Sequence, residues 1–340
     1  MSESLKPPFN PIAKAASLVR GLPQTAQNVS DYFLHGGFEV DAPASPWHVV
    51  SSGPVAKLRH YFPDDTPPDA PVMILVPPLM MATEMWDIEP PKTSAVHELH
   101  SHGIDVWVID FGRPEHEPGG LHRTLTDHVM GLSDAIDVVN EATGKNVTIG
   151  GQSQGGMFCY QAAAYRRGKG IDSVITFGSP VDVRAPLAIP ISPDRAAELA
   201  EMWLDLGIAD KISVPGWAMR TGTRMLDPAS AVKAKVAFYM SLHDREALLP
   251  RERQRQFLDN EGWTWYSGPA FAELIEQFFV NNRMLEGGFS FGDRLVTLAD
   301  IDVPILTVIG DRDILGHPLS CRGIQRAAPN TEIYELLLTT

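Results

Sequence analysis

One short stretch of this 340-residue chain has the residue types and spacing of a nucleophilic catalyst. It reads Val147-Thr-Ile-Gly-Gly-Gln-Ser-Gln-Gly-Gly156, and within it Gly151-Gln152-Ser153-Gln154-Gly155 has the form G-x-S-x-G. A serine on a tight strand-to-helix turn needs small residues two places to either side, because strand and helix approach closely there. The turn pushes the hydroxyl into the open and sets the next helix's amino terminus beneath the negative charge that develops on attack. Both flanks fit: a β-branched run precedes Ser153, and a helical pattern follows from Gly155 to Arg167. Ser153 is expected to be a nucleophile that carries an acyl group.

A serine of this kind needs two oxyanion donors, an acid and a base. The first donor is expected to be the N–H of Gln154, the residue after the nucleophile. The second should come from the loop Val76-Pro77-Pro78-Leu79-Met80. Proline has no N–H, so Leu79 is the first candidate and Met80 the next. The acid is expected after the apolar run Pro304–Ile309, in Gly310-Asp311-Arg312-Asp313-Ile314-Leu315. Asp313 has the G-x-x-D spacing, Asp311 is expected to cap the turn, and Asp182 is an outside candidate.

The order nucleophile, acid, histidine puts the base after the last strand, Glu332–Leu338, where only two residues remain. His317 lies four residues past Asp313 and would need an unusual loop to reach Ser153. The expectation is therefore a base beyond Thr340, and turnover by residues 1–340 alone that is slower by orders of magnitude or absent.

Other chemical patterns fail on spacing. His97-Glu-Leu-His100-Ser-His102 is one residue short of H-E-x-x-H, and Thr143-Gly-Lys145 and Gly168-Lys-Gly170 lack the phosphate-loop frame. Cys159 and Cys321 are far apart and offer neither a disulfide framework nor a zinc site. No cofactor and no metal are expected.

The elements that must position these residues alternate. Residues 48–62 read as a hairpin, and strands are expected at Pro71–Val76, Asp105–Asp110, Asn146–Ile149, Ser173–Phe177, Pro304–Ile309 and Glu332–Leu338. Helical patterns fall between them at 93–102, 124–142, 155–167 and near 318–328. Such alternation implies a mostly parallel, doubly wound sheet covered on both faces. Residues 183–300 break the rhythm and hold four of the seven tryptophans, Trp203, Trp217, Trp263 and Trp265, as an inserted helical cap would. Its aromatics are expected chiefly to pack the cap's own core. The expected organisation is an arm over 1–47 with a helix from about Ile12 to Leu34, a core over 48–182, the cap over 183–300, and the rest of the core over 301–340.

Composition narrows the class. Apolar residues make up 44% and charged residues 21%, and 28 basic against 42 acidic residues leave −14. That net field opposes non-specific nucleic-acid binding and electrostatic docking on anionic membranes. No segment is long and apolar enough to span a bilayer, and the amino terminus lacks the pattern of a signal peptide. A cytoplasmic enzyme is expected, with association to lipid bodies or a membrane surface left open.

Several segments together resemble polyhydroxyalkanoate synthases: Leu75-Val-Pro-Pro78, Glu89-Pro-Pro-Lys-Thr-Ser-Ala95, Val106-Trp-Val-Ile-Asp110, Ile149–Gly156, Thr176-Phe-Gly-Ser-Pro-Val-Asp182, Phe279-Val-Asn-Asn-Arg-Met-Leu285 and Gly310-Asp-Arg-Asp313. The resemblance runs from about residue 47 to the end and implies an α/β-hydrolase fold with Ser153 as nucleophile and Asp313 as acid. Those synthases carry cysteine where this chain has Ser153. A thiolate suits exchange with a CoA thioester, whereas an oxyester on serine is open to water or an alcohol. The departure favours a lipase, esterase or thioesterase acting on a lipid acyl ester or acyl-CoA. It also resembles the serine hydrolase part of fused proteins that continue into an acyl-CoA synthetase domain. The alternatives are a synthase-like acyltransferase using 3-hydroxyacyl-CoA, and a catalytically inactive hydrolase fold serving as an interaction module.

Overall fold

A computed structural model of the chain describes residues 25–40, 43–185, 192–292 and 294–339. Its centre is an eight-stranded sheet. In chain order the strands are β1 Trp47–Ser52, β2 Lys57–Tyr61, β3 Val72–Val76, β4 Asp105–Asp110, β5 Val147–Gln152, β6 Ile171–Phe177, β7 Ile305–Gly310 and β8 Ile333–Leu338. They lie side by side as β1-β2-β4-β3-β5-β6-β7-β8. The first three are antiparallel neighbours and every later pair is parallel.

The residues explain the layers. Every residue of β3 and β4 is buried; β3 is continuous in Val, Met, Ile and Leu, and β4 is an apolar Val-Trp-Val-Ile run between Asp105 and Asp110. Strands covered on both faces have that composition. The helix α1, Ala95–Ser101, starts at Ser94, whose side chain accepts the His97 amide. Helix α2, Leu125–Thr143, opens on a capping box of Thr124 and Asp127 and closes at Gly144 in a left-handed turn. Its buried residues Leu125, Val129, Leu132, Ile136 and Val139 recur at the spacing that the sequence suggests. Helix α3, Gln154–Arg166, runs directly from the end of β5. The sheet and helix spans match the sequence expectations closely, with two local differences: Thr93–Ser94, at the start of the expected helix 93–102, pairs instead with Asp87–Glu89, and 318–328 forms two short helices, Pro318–Cys321 and Ile324–Ala327, with Gly323 between them.

The chain divides into two compact units. Residues 43–226 with 261–340 form one, and residues 1–42 with 227–260 form the other. The larger unit contains the sheet and helices such as Pro193–Leu204, Gly216–Leu226 and Gly268–Leu274, together with a small hairpin, Phe289–Phe291 with Arg294–Val296. Aromatics of this insertion pack on one another, with Phe271 edge-on to both Trp203 and Tyr266, while Trp217 stays 66% exposed.

In the smaller unit the described part of the expected amino-terminal helix covers residues 25–35; its earlier half lies outside the described residues. Tyr32 packs on Phe238, Arg245 pairs with Asp31 at 2.7 Å, and buried Glu252 accepts the Phe38 amide at 2.9 Å. Residues 25–40 thus build a compact body with a segment some two hundred positions downstream.

Candidate active site

Ser153 follows β5, with Gly151 paired to Val76 of β3 and Gln152 paired to Phe177 of β6. It therefore emerges at the carboxyl edge in the middle of the parallel strands, where open α/β sheets place their ligand sites. Its backbone has φ 51° and ψ −119°, a conformation costly for any residue with a Cβ. The Phe177 carbonyl holds its amide at 2.9 Å. The glycines are there for space: a Cβ on Gly151 would come 2.3 Å from the Gly155 carbonyl carbon, and one on Gly155 would come 2.1 Å from the Val76 oxygen. Among the described residues the Ser153 hydroxyl takes part in no hydrogen bond.

Gln154 opens α3, so its N–H has no partner within the helix and points out of the helix's positive end. The loop after β3 is less simple than its sequence suggests. The Leu79 amide, the first candidate, is not open: it donates to Oε1 of the Gln154 side chain at 3.3 Å. The Met81 and Ala82 amides bond the Pro78 and Gly262 carbonyls. Met80 is left as the amide of this loop with no acceptor among the described residues.

Asp313 lies in the turn after β7. Its Oδ1 accepts the amides of Leu315 at 2.9 Å and Gly316 at 2.8 Å, while Oδ2 bonds nothing among the described residues. The turn is seated against Gly178, which directly follows β6: a Cβ there would come 2.8 Å from Asp313 Oδ2. Ser153, Gly178 and Asp313 thus follow three adjacent strands, β5, β6 and β7. Asp182 has no spare oxygen, since Oδ1 takes the Arg184 amide and Asn282 Nδ2 and Oδ2 takes Arg326. Asp110, the last residue of β4, is equally occupied by Arg59, Thr83 and the Gly112 amide.

None of the eleven histidines bonds Ser153 or Asp313. His317 Nδ1 accepts the Leu319 amide at 3.2 Å, so that nitrogen cannot at the same time donate to a carboxylate. His128 is fully buried between Phe111 and Phe158, and burial pushes its pKa down to about 4. It walls a small cavity behind Pro77, Pro78 and Leu79 as a neutral ring. His100 stacks on Phe62 and His102 bonds the Glu98 carbonyl. Cys159 in α3 and Cys321 are buried, and burial raises both thiols, Cys321 to about 12; neither is a reserve thiolate. Among the described residues no group of histidines, cysteines and carboxylates is placed to hold a metal ion, and no helix is long and apolar enough to cross a membrane.

A parallel sheet flanked by helices, with a serine on a strained turn at its centre and an aspartate after a later strand, defines an α/β hydrolase. Residues 73–328 match the alpha/beta hydrolase family, and the chain belongs to it. It is similar to the poly(3-hydroxyalkanoate) polymerase subunit PhaC of Allochromatium vinosum, 28% identical over 305 residues, covering 87% of this chain and 82% of that protein. The PhaC subunit of Thiocystis violacea is 27% identical over 289 residues, covering 82% and 77%. Among solved structures, the Paleococcus ferrophilus monoacylglycerol lipase aligns over 79% of this chain and 86% of its own, at 19% identity and a TM-score of 0.48.

Proposed function

We propose that the protein is a serine acyl hydrolase that cleaves lipid acyl esters or thioesters. The observation that carries this reading is Ser153: a non-glycine residue at φ 51° with its hydroxyl unengaged, at the amino end of a buried helix. Ser153 Oγ attacks the carbonyl carbon as its proton passes to an imidazole. The oxyanion is held by the N–H groups of Gln154 and of the loop after β3, where Met80 has the open amide and Leu79 the engaged one. The alcohol or thiol leaves with the proton, and water then releases the acid by the reverse route. Asp313, with Oδ2 unoccupied, is the carboxylate that orients the imidazole.

A second reading is favoured by the similarity to PhaC subunits over most of the chain. In it the acyl group is a 3-hydroxyacyl unit from CoA, and an alcohol replaces water as acceptor. The site residues are the same.

A fluorophosphonate probe tests the common step. The full-length protein should be labelled at Ser153 and the Ser153→Ala variant should not; equal labelling of both sinks the proposal. Free acid as the product then supports hydrolysis, whereas CoA release with acyl transfer to a hydroxyl supports the second reading.

A further inference from the structure

Beyond the Met81–Pro78 turn bond, the loop that supplies the second oxyanion donor is held from outside. The segment Gly262–Tyr266, from the insertion, runs antiparallel to Leu79–Ala82 with Met81 opposite Trp263. Ala82 N–H donates to the Gly262 carbonyl at 2.9 Å, and Thr264 N–H donates to the Met80 carbonyl at 3.1 Å. The Thr264 hydroxyl donates to the Leu79 carbonyl at 2.7 Å. The Tyr266 hydroxyl accepts from Gln154 Nε2, and Gln154 Oε1 accepts the Leu79 amide. The far edge of the segment is fixed too, since Tyr266 and Val214 exchange both backbone hydrogen bonds at 2.8 and 2.9 Å. Thr264 and Tyr266 have no exposed surface, and Gln154 is 4% exposed.

These bonds leave a definite residue. Both carbonyls beside the Met80 amide, those of Leu79 and Met80, are tied to Thr264, and the Leu79 amide is spent on Gln154. The peptide carrying the Met80 N–H is gripped from both sides while its own hydrogen stays free. The gripping groups come from the insertion, on a segment 185 positions downstream of Leu79. We infer that Gly262–Tyr266 is a strap that positions the oxyanion hole, with Thr264 and Tyr266 as positioning residues and Gln154 as the spacer that selects Met80 over Leu79 as donor. This rests on the reading of Ser153 as nucleophile. The strap converts cap packing into catalytic geometry: the hole has its working shape only while the insertion is seated on the loop.

The test uses the full-length protein with Thr264→Val and Tyr266→Phe, which remove one hydroxyl each and keep the side chain's shape, and Thr264→Ser, which keeps the hydroxyl. Each removal should slow fluorophosphonate labelling of Ser153 by on the order of ten- to a hundred-fold, as misplaced catalytic groups do. With a soluble ester, kcat should fall while KM stays near its wild-type value. Thr264→Ser should recover most of the rate. Hydrogen exchange of the amides at 79–82 should quicken in the two hydroxyl-free variants, with their melting temperatures recorded alongside. Wild-type labelling rates in both variants, or unchanged exchange at 79–82, overturn the strap. A wild-type protein that takes no label overturns the serine reading and the strap's catalytic consequence together, while the exchange data still separate a clamped loop from a free one.

Discussion

Asp182 and Asp313 follow neighbouring strands at the same edge of the sheet, and they have opposite hydrogen-bond economies. Asp182 is buried and engages both oxygens with Arg184, Asn282 and Arg326. Burial works against its charge, but the Arg326 hydrogen bond, the Arg184 amide and Asn282 outweigh that, and its pKa lies below the ordinary carboxylate value. Asp313 has one oxygen fixed by two amides and the other without a partner among the described residues. A carboxylate that is fully engaged holds structure together; one that is anchored by one oxygen and open at the other is prepared for a partner. The lone pairs left over distinguish the two aspartates more sharply than their distance from Ser153 does.

Substitution should split the pair cleanly. Asp313→Asn should lower ester turnover on the order of 10⁴-fold, as amide replacement of a triad acid does, with little change in melting temperature. Asp182→Asn should do the reverse: normal labelling per folded molecule, and a stability loss of a few kcal/mol, since Arg326 loses its charged partner and Asn282 and the Arg184 amide lose an ionised acceptor. Denaturation curves and kinetics on the same preparations decide it, and the comparison breaks if Asp182→Asn proves to be the catalytic lesion.

The pH dependence sharpens the contrast. His128 is held neutral, with a pKa of about 4 against an ordinary 6.5, so the unfolded chain takes up a proton that the folded one refuses. Stability should rise with pH between about 4 and 6.5, by on the order of 3 kcal/mol across that window. Replacement by Leu should flatten this slope in pH-resolved denaturation. Asp182, with a lowered folded pKa, adds stability that is present above its unfolded pKa and lost as pH falls through the lower folded value. Asp182→Asn should remove that more acidic component and leave the His128 slope intact.

Legibility divides along the same line between local and distant partners. The elbow could be read because everything that makes it, a strand, two glycines and a helix, lies in the single stretch Val147–Arg166. The strands showed as buried runs, and α2 showed as a stripe of Leu125, Val129, Leu132, Ile136 and Val139. The loop after β3 could be located but its hydrogen bonds could not be resolved. Which amide is free depends on where the Gln154 side chain turns and on Thr264 and Tyr266, and no spacing rule links those residues to Leu79. Likewise, nothing within residues 25–40 announces the partner helices at 227–260 that complete their unit. The missed breaks, at Thr93–Ser94 and Gly323, were local but slight.

The strained backbone of Ser153 sets a standing tension between durability and chemistry. A serine at φ 51°, ψ −119° costs on the order of 1–3 kcal/mol that glycine would not. Ser153→Gly should therefore melt at the same or a slightly higher temperature than the wild type while taking no fluorophosphonate label. Selection for stability alone would put glycine at this position. A serine retained in this conformation is a residue the chain keeps at a cost to its own fold.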